Sequence, residues 1–275
     1  MSDVRRTVRR PGPRLTRTGR LILVVCLCVL VILAVVIVPR LFRGGPERAA
    51  KLTIPEGRRA TQVYAAADEA LRLADGTTAK AARTTPLSLP DEAKGNPEGY
   101  LFPATYPIDR DTTPASLLTT MVETANLRLA DYGIASYRTV VIASIVQAEA
   151  DRPGDMGKVA RVIDNRLAKG MPLQMDSTLN YALDRSTLHT SHADTKIDSP
   201  YNTYEHRGLP PTPIDNPGAD ALTAAAAPPP GDWLYFVTVK PGDTRFTADY
   251  QEHLKNVREF NAGQQSPTAR RSPVT

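Results

Sequence analysis

Three spacings of apolar residues run along this chain, and each predicts a different kind of element. Residues 21–38, Leu-Ile-Leu-Val-Val-Cys-Leu-Cys-Val-Leu-Val-Ile-Leu-Ala-Val-Val-Ile-Val, are 18 uncharged apolar residues without a break. That is just enough to cross a bilayer core of roughly 30 Å at about 1.5 Å per residue. Helical spacing marks Pro114 to about Leu129, through Leu117, Leu118, Met121 and Val122, and Met156 to Ala168, through Val159, Val162, Ile163 and Leu167, with Gly170 as the stop. Strand chemistry appears late: Trp233–Val239 is aromatic and β-branched, Lys240-Pro-Gly-Asp-Thr244 is a turn, and Arg245-Phe-Thr247 can pair back as a hairpin. Tyr250–Asn261 reads as a closing helix, and Gln264–Thr275 has the composition of a disordered tail. On the N-terminal side, Leu52–Gly57 reads as a short strand into a turn, Ala60–Ala74 as an alanine-rich helix, and Asp75–Asn96, rich in Thr, Ala and Pro, as mostly linker. One strand and one helix cannot build a core alone. From Pro97 onward the chain is apolar enough to do so, and the mixture predicts an α+β fold.

The run Val140–Glu149 carries the first chemical signal. Residues four apart share a helix face, so Val141, Ile145 and Glu149 line up, with Ile142 and Val146 beside them. Glu149 therefore continues an apolar stripe. Pro153 and Gly154 end that helix just beyond it, which places the carboxylate in the last turn, where the macrodipole disfavours negative charge. Desolvation and dipole both push its pKa upward, and a carboxylic acid still protonated near neutral pH is what a general acid for glycosidic cleavage requires. The competing reading is a helix-end Glu that escapes to solvent.

Charge sharpens the topology. Residues 1–43 hold nine Arg against one acid, Asp3, a net +8, so the rest of the chain carries −3 of the overall +5. Seven of those arginines precede the apolar run, which by the positive-inside rule keeps that end in the cytoplasm and sends the remainder outside the cytoplasmic membrane. A cleaved signal peptide competes with a retained anchor, but Val38-Pro-Arg-Leu-Phe42 has no small-x-small site. The basic block is explained by the membrane, and no nucleic-acid motif accompanies it. Cys26 and Cys28 both lie inside the span, so no disulfide or thiol nucleophile is expected outside it. His189 and His192 have helical i, i+3 spacing but no third ligand in pattern, so no metal is predicted. No phosphate-cradling glycine loop or nucleophile elbow occurs, and no cofactor is expected.

A series of short motifs then narrows the function. In order they are Glu98-Gly-Tyr-Leu-Phe-Pro-Ala-Thr-Tyr106, Ala143–Glu149, Val162-Ile-Asp-Asn-Arg-Leu167, Gly170-Met-Pro-Leu-Gln-Met-Asp-Ser-Thr178 with Tyr181, Ser199-Pro-Tyr-Asn-Thr-Tyr204, Gly208-Leu-Pro-Pro211 and Pro213-Ile-Asp-Asn-Pro-Gly218. From about residue 98 to residue 260 this series resembles the YceG-like family of endolytic murein transglycosylases (MltG). The resemblance implies five parts: a cytoplasmic Arg-rich tail (1–20), a transmembrane anchor (21–39), an abbreviated LysM-like subdomain and linker (50–96), a catalytic domain (97–262) and a disordered tail (263–275). The Ile54-Pro-Glu-Gly57 signature agrees with the LysM-like assignment, although the segment is short. Peptidoglycan synthases are implied as partners beside the glycan strands and the membrane.

The resemblance assigns Glu149 as the acid that cleaves the β-1,4 bond between N-acetylmuramic acid and N-acetylglucosamine, leaving 1,6-anhydro ends. Gln147 holds a position where some relatives carry a second acid, and two helical steps place it about 200° from Glu149. If Leu173–Thr178 is extended, Gln174, Asp176 and Thr178 share one face and suit sugar hydroxyls and N-acetyl groups. Tyr201, Asn202, Thr203 and Tyr204 are expected to add hydrogen bonds and an aromatic surface, unless they serve a loop held by local backbone bonds. Two alternatives stay open. If Asp176 faces Glu149 across a water, the chemistry is a muramidase-type hydrolysis; a noncatalytic glycan-binding scaffold is the other.

Overall fold

The computed structural model describes residues 50–185 and 190–265, together with the single positions Thr16, Thr18 and Val31. The chain divides into two units at Ala49/Ala50, and the architecture below is that of the second. The apolar run 21–38 apart from Val31, with Cys26 and Cys28, most of the Arg-rich block, His189 and the tail from residue 266 lie outside the described residues. Among the described residues no helix is long and apolar enough to cross a membrane, and no three His, Cys, Asp or Glu side chains are grouped to hold a metal.

In chain order the elements are β1 (Ala50–Thr53), α1 (Ala60–Leu71), α2 (Thr77–Ala82), β2 (Thr105–Ile108), α3 (Pro114–Asp131), α4 (Tyr137–Glu149), α5 (Pro153–Ala168), α6 (Asp176–Ala182), α7 (Ala219–Ala226), β3 (Tyr235–Lys240), β4 (Asp243–Thr247) and α8 (Tyr250–Gln265). Mixed helices and two small antiparallel sheets make the fold α+β. β1 pairs with β2 in the register Leu52↔Tyr106, and β3 pairs with β4 in the register Phe236↔Phe246. The strand that starts the small N-terminal segment thus completes its sheet with the end of the Glu98–Tyr106 motif and the two residues after it.

Several boundaries differ from the sequence expectation for reasons of local chemistry. α1 stops at Leu71, short of Ala74, because Arg72 turns left-handed (φ 56°) and the N–H groups of Arg72 and Leu73 bond back to Glu69 and Asp68 carbonyls. Asp75–Asn96 is not a linker. Its helix α2 is held by the buried Asp68 carboxylate, which accepts Gly76 N–H at 2.8 Å, Thr78 N–H at 2.8 Å and the Thr78 hydroxyl at 2.6 Å, and α2 packs on α3. Pro153 starts α5 as its first residue, three positions earlier than expected. At the other end α8 runs on to Gln265, into what reads as tail.

α4 is the centre. Seven consecutive residues, Val140–Val146, are buried, so the helix is enclosed all round rather than along one stripe. α5 and α7 pack against it. Ser144, the polar residue in that run, donates to Val141 O and accepts Ile214 N–H at 3.0 Å, which ties the Pro213–Gly218 loop to the core. Buried Arg166 of α5 performs a similar task, donating to Leu234 O at 2.6 Å and Leu173 O at 2.7 Å. It fastens the β3–β4 hairpin and the Leu173 strand-like segment to the same helix.

Candidate active site

The site is assembled where three chain ends meet: the C-terminus of α4, the N-terminus of α6 and the Ser199–Tyr204 loop. Glu149 is the last residue of α4, and Ala150 leaves the helix in extended conformation. Its Oε1 accepts the backbone N–H of Ser177, in the first turn of α6, at 3.3 Å. Burial pushes the Glu149 carboxyl above its ordinary 4.5; the hydroxyl and N–H of Ser177 oppose that rise, and the negative charge of Asp176 adds to it. The Ser177 hydroxyl itself is buried beside this carboxyl without hydrogen-bond geometry to any group. A proton on Glu149 is therefore favoured chiefly by desolvation, against the opposing Ser177 groups and with a smaller contribution from the Asp176 charge.

Asp176 opens α6 and accepts the Tyr204 hydroxyl at 2.5 Å. Glu149, Asp176 and Tyr204 thus form one cluster, and burial first, then Asp176 and Glu149, push the Tyr204 phenol upward against Arg166. The other residues expected at the site are placed differently. Gln174 is exposed and left-handed (φ 52°), its N–H given to Thr203 O at 3.0 Å. The extended face expected over 173–178 does not form, because that turn at Gln174 leads directly into α6. Thr178 is buried and bonds Met175 O and the Thr203 hydroxyl. Thr203 is also buried and accepts Met175 N–H at 3.0 Å. Asn202, buried, reaches Ile197 O at 2.9 Å and accepts Tyr204 N–H at 3.1 Å. These three hold the wall in shape, the structural alternative left open above, while Tyr201 packs against Tyr181 with its ring tilted by 51° and the centroids 4.9 Å apart, and bonds Thr212.

A cleft of about 560 Å³ opens beside this cluster, sharing Ser177 and Ala148 with it and reaching Arg58, Gln62, Gln147 and Asp215. Glu149 follows the lining residue Ala148 in the chain and accepts the N–H of another, Ser177. Gln147 points its Oε1 at Gly218 N–H, 2.9 Å away, so this side chain anchors the Pro213–Gly218 loop. Beneath the cleft lies a second carboxyl group that sequence reasoning gave no role. Glu98 accepts Ala60 N–H at 2.8 Å, Asn216 Nδ2 at 3.2 Å and the Tyr181 hydroxyl at 3.1 Å. Burial, against those donors and Arg59, raises it from 4.5 to about 7. Asn216 also bonds Leu101 N–H at 2.7 Å and Arg58 O at 2.8 Å. Next to it, Asp215 is raised well above its usual range by burial and by Glu98, Arg59 opposing. The signal for this cluster was present: both motifs, Glu98–Tyr106 and Pro213–Gly218, had stood out as blocks.

With this geometry in hand, the relationship to known proteins is direct. A family model described as the YceG-like family matches residues 34–259. The chain belongs to the YceG-like family. Among similar proteins, the endolytic murein transglycosylase of Bacillus subtilis (strain 168) is 35% identical over 242 residues, which cover 80% of this chain and 67% of the relative. The endolytic murein transglycosylase of Streptococcus pneumoniae serotype 2 (strain D39) is 37% identical over 175 residues, 59% of this chain but 32% of that longer protein. The crystal structure of a YceG-like protein from Listeria monocytogenes superposes with a TM-score of 0.65 at 31% identity, covering 75% of each chain.

Proposed function

We propose that this YceG-like protein is a lytic transglycosylase of peptidoglycan, acting endolytically on nascent glycan strands with Glu149 as its single acid. The observation that carries this is the carboxyl at the end of α4, desolvated, pushed upward and bound by only one N–H. Family membership and the activity named for the Bacillus and pneumococcal relatives point the same way. Protonated Glu149 gives its proton to the glycosidic oxygen as the C1–O bond of N-acetylmuramic acid breaks and oxocarbenium character develops. The carboxylate so formed takes the proton of the muramoyl C6 hydroxyl, whose oxygen closes on C1. The products are a 1,6-anhydro end and a free N-acetylglucosamine 4-hydroxyl, with no water consumed. Asp176, oriented by Tyr204, disfavours the ionised Glu149 and so helps keep the proton in place until transfer. Membrane anchoring by residues 21–39, a LysM-like role for residues 50–96 and contact with peptidoglycan synthases belong to the same proposal. Alkaline carbonate extraction tests the first of these; release of the full chain into the soluble fraction would end it.

Asp176 also motivates the second reading. A carboxylate beside the acid can serve a water, and the outcome would be hydrolysis with reducing ends. Mass spectrometry of products from uncross-linked, nascent-type peptidoglycan treated with the full chain separates the two. Anhydro ends from wild type and none from Glu149→Gln support the transglycosylase; reducing ends move the assignment to a hydrolase; no cleavage by folded wild type defeats both.

A further inference from the structure

The cleft beside Glu149 is lined on its far side by groups whose spare hydrogen-bonding capacity is nearly all of one kind. Gln62 uses its Oε1 to accept Arg59 N–H at 3.0 Å, and Gln147 uses its Oε1 for Gly218 N–H. Each is left with its NH2, a donor. Arg58 is exposed, and its guanidinium makes no ion pair or hydrogen bond among the described residues. Its backbone, by contrast, is pinned: Arg58 O accepts both Asn216 N–H at 3.0 Å and Asn216 Nδ2, and the two residues form an isolated β-bridge. The cation is unpaired but its root is fixed. Asp215, 4% exposed, lines the same cleft, and its Oδ1 is a buried oxygen with no partner. An orphaned buried oxygen of this kind costs stability until something outside the chain satisfies it. Burial pushes this carboxyl upward, toward the protonated form that can donate as well as accept. Glu56 is the acceptor in the lining, and its carboxyl lies against Gly218 at the N-terminal end of α7.

Sugar hydroxyls and N-acetyl carbonyls can occupy the glutamine amides, but they carry no charge, so the uncharged part of a glycan gives no partner to an unpaired guanidinium. The peptide stem of peptidoglycan does: it carries amide carbonyls and free carboxylates. We propose that the Arg58–Gln62–Gln147–Asp215 side of the cleft is a subsite for the acidic peptide stem of the substrate, Arg58 taking a stem carboxylate and the two glutamine amides its carbonyls. This rests on the peptidoglycan reading above and extends it, because Ser177 joins the subsite to Glu149 and sets the stem-bearing sugar against the acid.

The test compares nascent-type strands with intact stems and the same strands stripped of stems by an amidase, their freed lactyl carboxylates capped as methyl amides, using the full chain as wild type, Arg58→Gln and Arg58→Lys. Wild type should show a KM about fivefold lower on stem-bearing strands, the scale of one well-placed charge-assisted contact. Arg58→Gln should erase that difference by raising KM on stem-bearing strands toward the stripped value, and Arg58→Lys should restore part of it. Equal KM on both substrates for wild type, or an equal loss on both for Arg58→Gln, overturns the subsite. If wild type cleaves neither substrate, the enzyme reading fails instead, and the subsite is decided by binding: fluorescence anisotropy of a labelled N-acetylglucosaminyl-N-acetylmuramyl tetrapeptide should show weaker affinity for Arg58→Gln than for wild type, and unchanged affinity overturns it.

Discussion

Two carboxyls near the cleft, Glu149 partly buried and Glu98 fully so, are perturbed in the same direction, yet their surroundings differ in one decisive respect. Glu98 is 2% exposed and accepts three hydrogen bonds, from a helix N-terminus, an asparagine and a tyrosine. Glu149 accepts one long bond from Ser177 and has a like charge for its neighbour. Hydrogen-bond saturation separates a carboxyl that holds a fold from one free to exchange a proton. A raised pKa alone would not have told them apart, since burial is its leading cause in both.

The contrast is broken most directly by exchanging activity for stability. Glu149→Gln should lower the rate of strand cleavage at least about a thousandfold, within the range of a lost general acid, while its urea midpoint stays within error of wild type. A large loss of stability would place Glu149 with Glu98 as a structural group. Next, Glu98→Ala should cost about 3 kcal/mol or more in urea denaturation, since three donors lose their acceptor. A cost under about 1 kcal/mol would show that the cluster does not hold α1, α6 and the Pro213–Gly218 loop together.

A pH series sharpens the same comparison. Glu98 titrates near 7 folded against an ordinary 4.5, so the folded state binds the extra proton between those values. Its stabilising contribution is complete below about pH 4.5 and lost as pH rises through 7. Relative to Glu98→Gln, wild-type stability should therefore fall by up to about 3 kcal/mol between pH 5 and pH 8. Parallel pH profiles would contradict this. The smallest effect is expected at Tyr204→Phe, which frees Asp176 from its hydroxyl partner. The rate should drop about tenfold and its alkaline-limb pKa, where Glu149 loses its proton, should move, as for a positioning residue; an unchanged profile would leave Tyr204 as wall alone.

Much of this was readable without coordinates. The spacing of Leu117, Leu118, Met121 and Val122 marks α3, and its Thr113–Pro114 start is made by a cap in which Ser116 answers Thr113. Glu149 stood out because it ends an apolar run. The polar trio of Gln174, Asp176 and Thr178 was less readable. Period-two logic assumes a strand, and a single left-handed residue at Gln174 converts the segment into a helix start, so Asp176 bonds Tyr204 and its charge reaches the acid, while Thr178 goes inward. Likewise α2 could not be seen in Asp75–Asn96, because its anchor is Asp68, outside the segment.

By itself the sequence determined the helices with strong apolar spacing, the α+β class, the family and the candidate acid, because periodicity, caps and motifs are local properties written in neighbouring residues. Only the tertiary structure decided which polar residues are free. Asn202, Thr203 and Asn216 have the side chains of a binding site, but partners distant in the chain consume their hydrogen bonds. Arg58 and Asp215 look ordinary in sequence and are left with unused capacity in a cleft. Whether a polar group is spent or available depends on what long-range packing brings within about 3 Å of it, and no local pattern encodes that distance.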